Sequence, residues 1–302
     1  MTLGNPLVSI GLPVWNGERF VARALAALAA QDYEPLEVVV SDNGSSDDTE
    51  EICRTFVAAD SRFRYYRSDE NRGAAWNFVR VFSLSRGEYF KWAAHDDLCA
   101  PEFVRVCAAV LGASGGDVVL CYPSTALIDV DDRTVGEFED GLALDEPAPH
   151  QRLARLLGRG MEYHPIFGLI RRKALAATQV MGAYVAADIV TLAELALMGR
   201  FAEVPERLFL RRYHDGTSVR ANPDAADRAT WFDPSRRWRS PMPASRLAVE
   251  LTRAVSRSSL PGPERVRCAG VVARHWIVPR WRDMGGETKR VLLAAGPRTR
   301  AP

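Results

Sequence analysis

No stretch of the sequence approaches the roughly 18 uninterrupted apolar residues that a membrane-crossing helix needs, so no transmembrane span is expected. Residues Met1 to Pro6 carry neither a basic cluster nor a long apolar run, and no secretory leader is expected either. Cysteine is sparse. Cys53, Cys99, Cys107, Cys121 and Cys268 form no C-x-x-C pair and are odd in number, which argues against a disulfide framework or a zinc site. They read as small buried residues in a reducing cytoplasm. The first apolar run is followed by a segment holding only Gly17, not by G-x-G-x-x-G or a Walker loop, so dinucleotide and P-loop binding are disfavoured. Internal repeats and low-complexity segments are absent as well.

What is present is ordinary globular material: 302 residues, 47% apolar and 25% charged. That length suits one large α/β domain or a domain with an appendage. The net charge of +1 hides an asymmetry. Residues 226–302 hold 16 Arg and Lys against 6 Asp and Glu, a surplus of +10, which leaves the first 225 residues at −9. The basic segment also carries Trp231, Trp238, Trp276 and Trp281. It fits either a solvated face or a surface for an anionic membrane, with the tryptophans as core or as interfacial anchors. No reader motif accompanies the charge, so nucleic acid is not an expected partner. Pro223, Pro234, Pro241 and Pro243 break the pattern after Ala221, and Leu247, Leu251 and Val255 then predict a helix by their spacing. The expected organisation is a main domain over residues 1–225, in halves of about 5–130 and 131–225, with a basic helical extension over 226–302.

The first 130 residues alternate short apolar runs with helical patterns. Leu7 to Val14, Leu36 to Val40, Phe63 to Arg67, Tyr89 to Ala94 and Asp117 to Tyr122 read as strands. The helices between them start near Asn16 (a plausible N-cap), Asp47, Gly73 and Pro101. This alternation predicts an α/β fold with a mostly parallel, Rossmann-like sheet flanked by helices. Ligands of such sheets bind beyond the carboxyl ends of the strands. Those ends carry Pro13-Val14-Trp15-Asn16, Asp42-Asn43 and His95-Asp96-Asp97, three polar clusters converging on one edge. Residues 131–149 are acidic and rich in turn formers, and read as a surface loop.

Two short patterns mislead. Gly112 to Gly116 fits G-x-S-x-G, but a helix precedes it and a strand follows, the reverse of a nucleophile elbow. Asn43-Gly44-Ser45 fits a glycosylation acceptor without any sign of secretion. His95-Asp96-Asp97 is different, because adjacent carboxylates repel unless a cation joins them. Mg²⁺ or Mn²⁺ is the natural occupant, since hard ions take oxygen ligands and share them with phosphates. The alternative is that Asp97 caps the helix near Pro101.

Together, VSIGLPVWNGE at 8–18, SDNGSSDDT at 41–49, NRG at 71–73 and HDD at 95–97 resemble family-2 glycosyltransferases of the GT-A fold, in order and in spacing. The resemblance covers about residues 5–220. It implies transfer of a sugar from a nucleotide-diphosphate donor to a glycan, glycolipid or small-molecule acceptor, with inversion and a divalent metal, Mg²⁺ or Mn²⁺. It further implies that Pro13, Val14, Asn16 and Glu18 lie along the donor nucleotide, that Asp42 meets the base beside Asn43, and that Arg72 approaches the base or diphosphate. Asp96 would face the ribose and Asp97 the metal, while His95 replaces the first acid of the fuller pattern.

In the second half, Asp188 opens an apolar helix and is either an N-cap or a base. The resemblance places a catalytic acid at such a helix start, about 90 residues after the acidic motif, although alanine replaces the usual first acid. Asp188 is thus the expected base for the acceptor hydroxyl, with Glu194 in reserve. Arg211-Arg212-Tyr213-His214 resembles a late R-x-H segment of the family, which makes His214 a metal ligand or a diphosphate contact. His164 is a weaker candidate for the acceptor pocket. The rival readings are a nucleotidyltransferase and a non-catalytic membrane-surface protein. The first usually opens with a glycine-rich basic loop, which Pro13 to Phe20 is not. The second leaves the polar strand ends and Asp188 without purpose. A cytoplasmic enzyme, peripheral at the membrane through its basic tail, is the resulting expectation.

Overall fold

Val8–Val14 (β1) and Leu36–Asp42 (β2) are buried at every position. Parallel strands covered on both faces have this property, and they show no alternation in sequence for the same reason. The two pair in parallel, Val8 with Leu36 through Val14 with Asp42. Phe63–Arg67 (β3) and Tyr89–Trp92 (β4) extend the sheet in parallel on either side. The computed structural model describes residues 4–159, 162–216, 224–236 and 242–295. Within them the sheet continues through Leu98–Cys99 (β5), Val118–Ile128 (β6), Thr134–Phe138 (β7), Leu169–Arg171 (β8) and Arg200–Arg212 (β9). The order is β3-β2-β1-β4-β8-β6-β9-β5, with β7 beside β6.

The second half of the sheet departs from the expected pattern. The run read as a fifth parallel strand is the start of β6, and it does not join β4. The three-residue β8 sits between them, antiparallel to both. The segment read as a loop over 131–149 contains β7, which returns antiparallel along β6. Its side chains are largely exposed, so it lacks the apolar signal of a core strand.

Helices α1 (Val21–Ala29), α2 (Thr49–Ala59) and α4 (Phe103–Ala113) close one core with Ile10, Leu12 and Val38. On the opposite side, α3 (Ala74–Leu84), α5 (Pro149–Gly158) and α7 (Ala187–Met198) enclose Phe90, Trp92 and Ile170. The short α6 (Arg172–Ala176) follows β8. Further on come α8 (Ala225–Phe232), α9 (Pro243–Arg257), α10 (Gly262–Val272) and α11 (Trp281–Ala295). Leu247, Leu251 and Val255, spaced to form one helical stripe, are buried in the second core, as are Cys268, Val272 and Trp276. Residues on both sides of position 225 therefore share this core. Among the described residues no helix is long and apolar enough to cross a membrane.

Candidate active site

Three loops leave the carboxyl edge of the parallel strands, and each is fixed by its neighbour. Asn16 takes a left-handed backbone (φ 50°), and α1 begins only at Val21, so Asn16 is not its N-cap. Instead its N–H donates to Ser45 Oγ (2.9 Å) and its Oδ1 accepts from the Ser46 N–H (2.9 Å). Glu18 accepts from the Asp48 N–H at 3.1 Å. Asp42 is fully buried beneath this turn. Its Oδ1 accepts from the N–H and hydroxyl of Ser45, and its Oδ2 from the Tyr65 hydroxyl at 2.5 Å. Asn43 donates to Asn71 Oδ1 (2.9 Å) and the Gly73 carbonyl (3.1 Å), and accepts from the Arg72 N–H (3.0 Å). Asn77, buried on α3, donates to the carbonyls of Val14 and Ser41, tying that helix to both strand ends.

The floor of the site is made by a pairing distant in sequence. β5 runs antiparallel to the end of β9, with Leu98 opposite Leu210, and lays the acidic pair beside Arg211, Arg212 and His214. Asp97 is consumed there: its Oδ2 accepts from Arg211 Nη1 (2.6 Å) and its Oδ1 from the Arg212 N–H (2.9 Å). Arg212 is buried too, donating Nε to the Asp96 carbonyl at 2.7 Å. The Asp96 carboxylate instead lies 3.0 Å from His214 Nε2. The Gly216 N–H donates to His214 Nδ1 (3.1 Å), so Nε2 carries the proton shared with Asp96. Burial opposes the Asp96 charge, but His95, the His214 bond and Arg211 outweigh it and hold the carboxyl well below the usual range.

A cavity of about 640 Å³ opens at this edge, within the common size range of small-molecule sites. Of the residues expected along a donor, Pro13, Val14, Asn16, Asn43 and Asp96 line it. Glu18, Asp42 and Arg72 do not. Glu18 ties the loop after β1 to the loop after β2, Asp42 holds the latter through Ser45, and the Arg72 guanidinium lies 4.5 Å from the Trp76 ring centre. The lining also includes Trp15, Asn71, Asn77, His95 and Arg211, and from α8 and its exit Asp227, Thr230, Trp231 and Pro234. Asn77 carries a signal in sequence, an amide on an otherwise apolar helix face. The α8 residues carry none.

Asp188 lies in the first turn of α7, half-buried, just after Ala186, whose φ of 61° is strained for a residue with a side chain. Burial raises its carboxyl to about 6, while backbone N–H groups of the turn pull the other way. Its charge reaches Tyr163. Tyr163 leads into the short 3₁₀ turn His164–Phe167, whose last residue lines the cavity. Glu194 is spent on structure: it accepts from the Gln179 N–H (3.0 Å) and from Arg257 Nη2 of α9 (2.9 Å). That removes it as a reserve base. His164 is buried between the Phe138 and Phe209 rings, 3.5 Å from Asp140.

The profile of Glycosyl transferase family 2 matches residues 9–178, more than half of the chain. The chain belongs to glycosyl transferase family 2. Among curated relatives, an uncharacterized glycosyltransferase of Rickettsia typhi is 34% identical over 125 residues, covering 41% of this chain and 38% of the relative. The chondroitin synthase of Escherichia coli is 33% identical over 102 residues, covering 34% of this chain and 15% of the relative. The match thus spans about two fifths or less of those relatives' length. Among solved structures, residues 1–349 of S. aureus TarS in complex with UDP superpose with a TM-score of 0.62 at 16% identity, covering 90% of this chain and 72% of TarS. The mannosyltransferase PcManGT of Pyrobaculum calidifontis, in complex with GDP-Man and Mn²⁺, superposes with a TM-score of 0.55 at 17% identity, covering 96% and 86%. The family-2 chain therefore has the GT-A fold, as its first strands led one to expect.

Whether the family-2 chain offers a metal site turns on its donor set. Among the described residues no group of three or more His, Cys, Asp or Glu is placed to hold an ion. Asp96 fits as a ligand, because Mg²⁺ or Mn²⁺ shared with substrate phosphates needs only one or two carboxylates and this one lines the cavity. His214 presents no free nitrogen, since Nδ1 accepts from the Gly216 N–H and Nε2 donates to Asp96, so it positions that carboxylate and the expectation that it is a ligand is not met in this arrangement. The expected ligand Asp97 has both oxygens engaged by Arg211 and the β9 backbone and does not line the cavity, so the reading below gives the ion to Asp96 instead.

Proposed function

We propose that this chain transfers a glycosyl group from a nucleotide-diphosphate sugar to a hydroxyl of a glycan, glycolipid or small molecule, with inversion and with Mg²⁺ or Mn²⁺. The observation that carries the reading is the meeting of Asp96, His214 and Arg211 beside one cavity at the carboxyl edge of the sheet. Asp96, oriented by His214, would hold the ion, which supplies charge neutralisation for the departing diphosphate. Arg211, anchored by Asp97, lines the cavity and stabilises the same developing charge through charge-assisted hydrogen bonds. Asp188 takes the proton of the acceptor hydroxyl, and a carboxyl near pH 6 suits that task. The complexes of the fold neighbours with UDP, with UDP-GlcNAc, and with GDP-Man and Mn²⁺ support a nucleotide-sugar donor. In this reading residues 1–225 carry the chemistry and 226–302 extend it. Thermal-shift measurements with UDP, GDP, dTDP and CMP, with and without Mn²⁺, test the donor class. One nucleotide should raise the melting temperature, more so with Mn²⁺, because a ligand of the native state alone stabilises it by mass action. No shift with any of them would contradict the reading.

Cytoplasmic location with peripheral attachment to an anionic membrane is part of the same proposal. Val266, Val278 and Trp281 are exposed (72%, 63% and 62%) in the segment that carries the surplus of +10. Basic residues near an anionic surface contribute about 1 kcal/mol each, and salt screens them. Because α9 and α10 lie in the core, a surface substitution is the informative variant, not a truncation. The chain should pellet with phosphatidylserine vesicles at low salt but not at high salt, and Trp281→Ser should weaken this. Absence of pelleting at low salt would remove the membrane from the account.

A further inference from the structure

The cavity lining holds two chemical groups. Asp96 and Arg211 are charged. Asn43, Asn71, Asn77 and Phe78 offer amides and an aromatic ring, and Asn43 bonds both Asn71 and the Gly73 carbonyl. Helix α8 closes on this amide group. The close approach is written into the backbone at Gly73 (φ 88°), where a Cβ would stand 2.6 Å from the Phe232 carbonyl oxygen and 2.6 Å from Pro234. Any larger residue there would push α8 away, so glycine serves both the turn and the docking of the helix. Docked this way, α8 places Trp231 among the lining residues, with Asp227 and Thr230 from the same helix. The Trp231 ring is braced edge-on by Phe232, with centroids 4.9 Å apart.

Resting on the nucleotide-sugar reading above, the geometry points to α8 as the wall that grips the donor's nucleobase, with the Trp231 indole as its packing partner. A flat heteroaromatic base needs a π-surface and a few amide or hydroxyl partners at its edge. The amide group and the Trp231 indole supply both, whereas Asp96 and Arg211 suit the metal and the diphosphate. Asp227 and Thr230 then stand where they influence which base is preferred, while the indole acts on every base alike. The segment after position 225 thereby takes part in donor recognition.

The test is calorimetric titration of the full chain and of Trp231→Ala and Trp231→Phe, in Mn²⁺, with UDP, GDP, dTDP and CMP and with inorganic pyrophosphate as a probe lacking the base. Base–aromatic stacking removed by alanine costs roughly 10- to 100-fold in affinity. Trp231→Ala should therefore weaken the nucleotide that binds by about that factor, Trp231→Phe should restore most of it, and pyrophosphate should bind all three proteins equally. Unchanged nucleotide affinity in Trp231→Ala, or an equal loss for pyrophosphate, would overturn the assignment while leaving the nucleotide-sugar reading intact. If the wild-type chain binds pyrophosphate but no nucleotide, that reading itself falls, and the assignment with it.

Discussion

Asp188→Asn is expected to cut glycosyl transfer by about 10²- to 10⁴-fold, the usual cost of losing a positioned general base. Asparagine keeps the size of the side chain at the start of α7, so donor affinity should hardly change. The same substitution should stabilise the protein. Folded Asp188 has its carboxyl raised to about 6 from 3.8, so the native state binds the extra proton between those values. Ionised Asp188 therefore destabilises the fold increasingly as pH rises through that window, and fully above pH 6. A shift of about two units corresponds to at most about 3 kcal/mol, which the asparagine relieves at neutral pH. Thermal melts at pH 4 and pH 7.5 should show a gain only at the higher pH. The wild-type rate should fall tenfold per unit as pH drops below about 6, and an Asp188→Asn variant with near-wild-type turnover would reduce Asp188 to a helix-terminal residue.

Asp97→Asn should be costly for a different reason. The carboxylate is buried and holds Arg211, so its loss leaves a guanidinium without its partner. Breaking one side of a buried pair typically costs about 3–5 kcal/mol. A large drop in denaturation midpoint is expected, together with weaker nucleotide binding that is the same in Mn²⁺ and in EDTA, because Arg211 rather than the metal has been disturbed. A variant of wild-type stability that loses only its Mn²⁺ response would show that Asp97 is the ligand after all.

The contrast between the two acids shows what local pattern can and cannot reveal. The parallel half of the sheet was legible because β1 and β2 are buried on both faces and leave unbroken apolar runs. The edge where ligands gather followed from that alone. Which of two adjacent carboxylates faces the cavity did not, since it depends on β5 meeting β9 and on an ion pair 114 residues apart in sequence. Asp42 is similar: its place in the motif is plain, but its burial under Ser45 and Tyr65 is a tertiary fact. The three-residue β8 and the exposed β7 are too short or too polar to declare themselves. The α8 wall had no periodic signal, because what fixes it is a backbone contact at Gly73.

On the proposed reading Asp96, positioned by His214, holds the metal while Asp97 holds Arg211. Calorimetric titration of the preferred nucleoside diphosphate into wild type and Asp96→Asn, each in Mn²⁺ and in EDTA, tests it most directly. Mn²⁺ should tighten binding to wild type and have no effect on Asp96→Asn, whose affinity in EDTA should match wild type. Full Mn²⁺ enhancement in Asp96→Asn would contradict it.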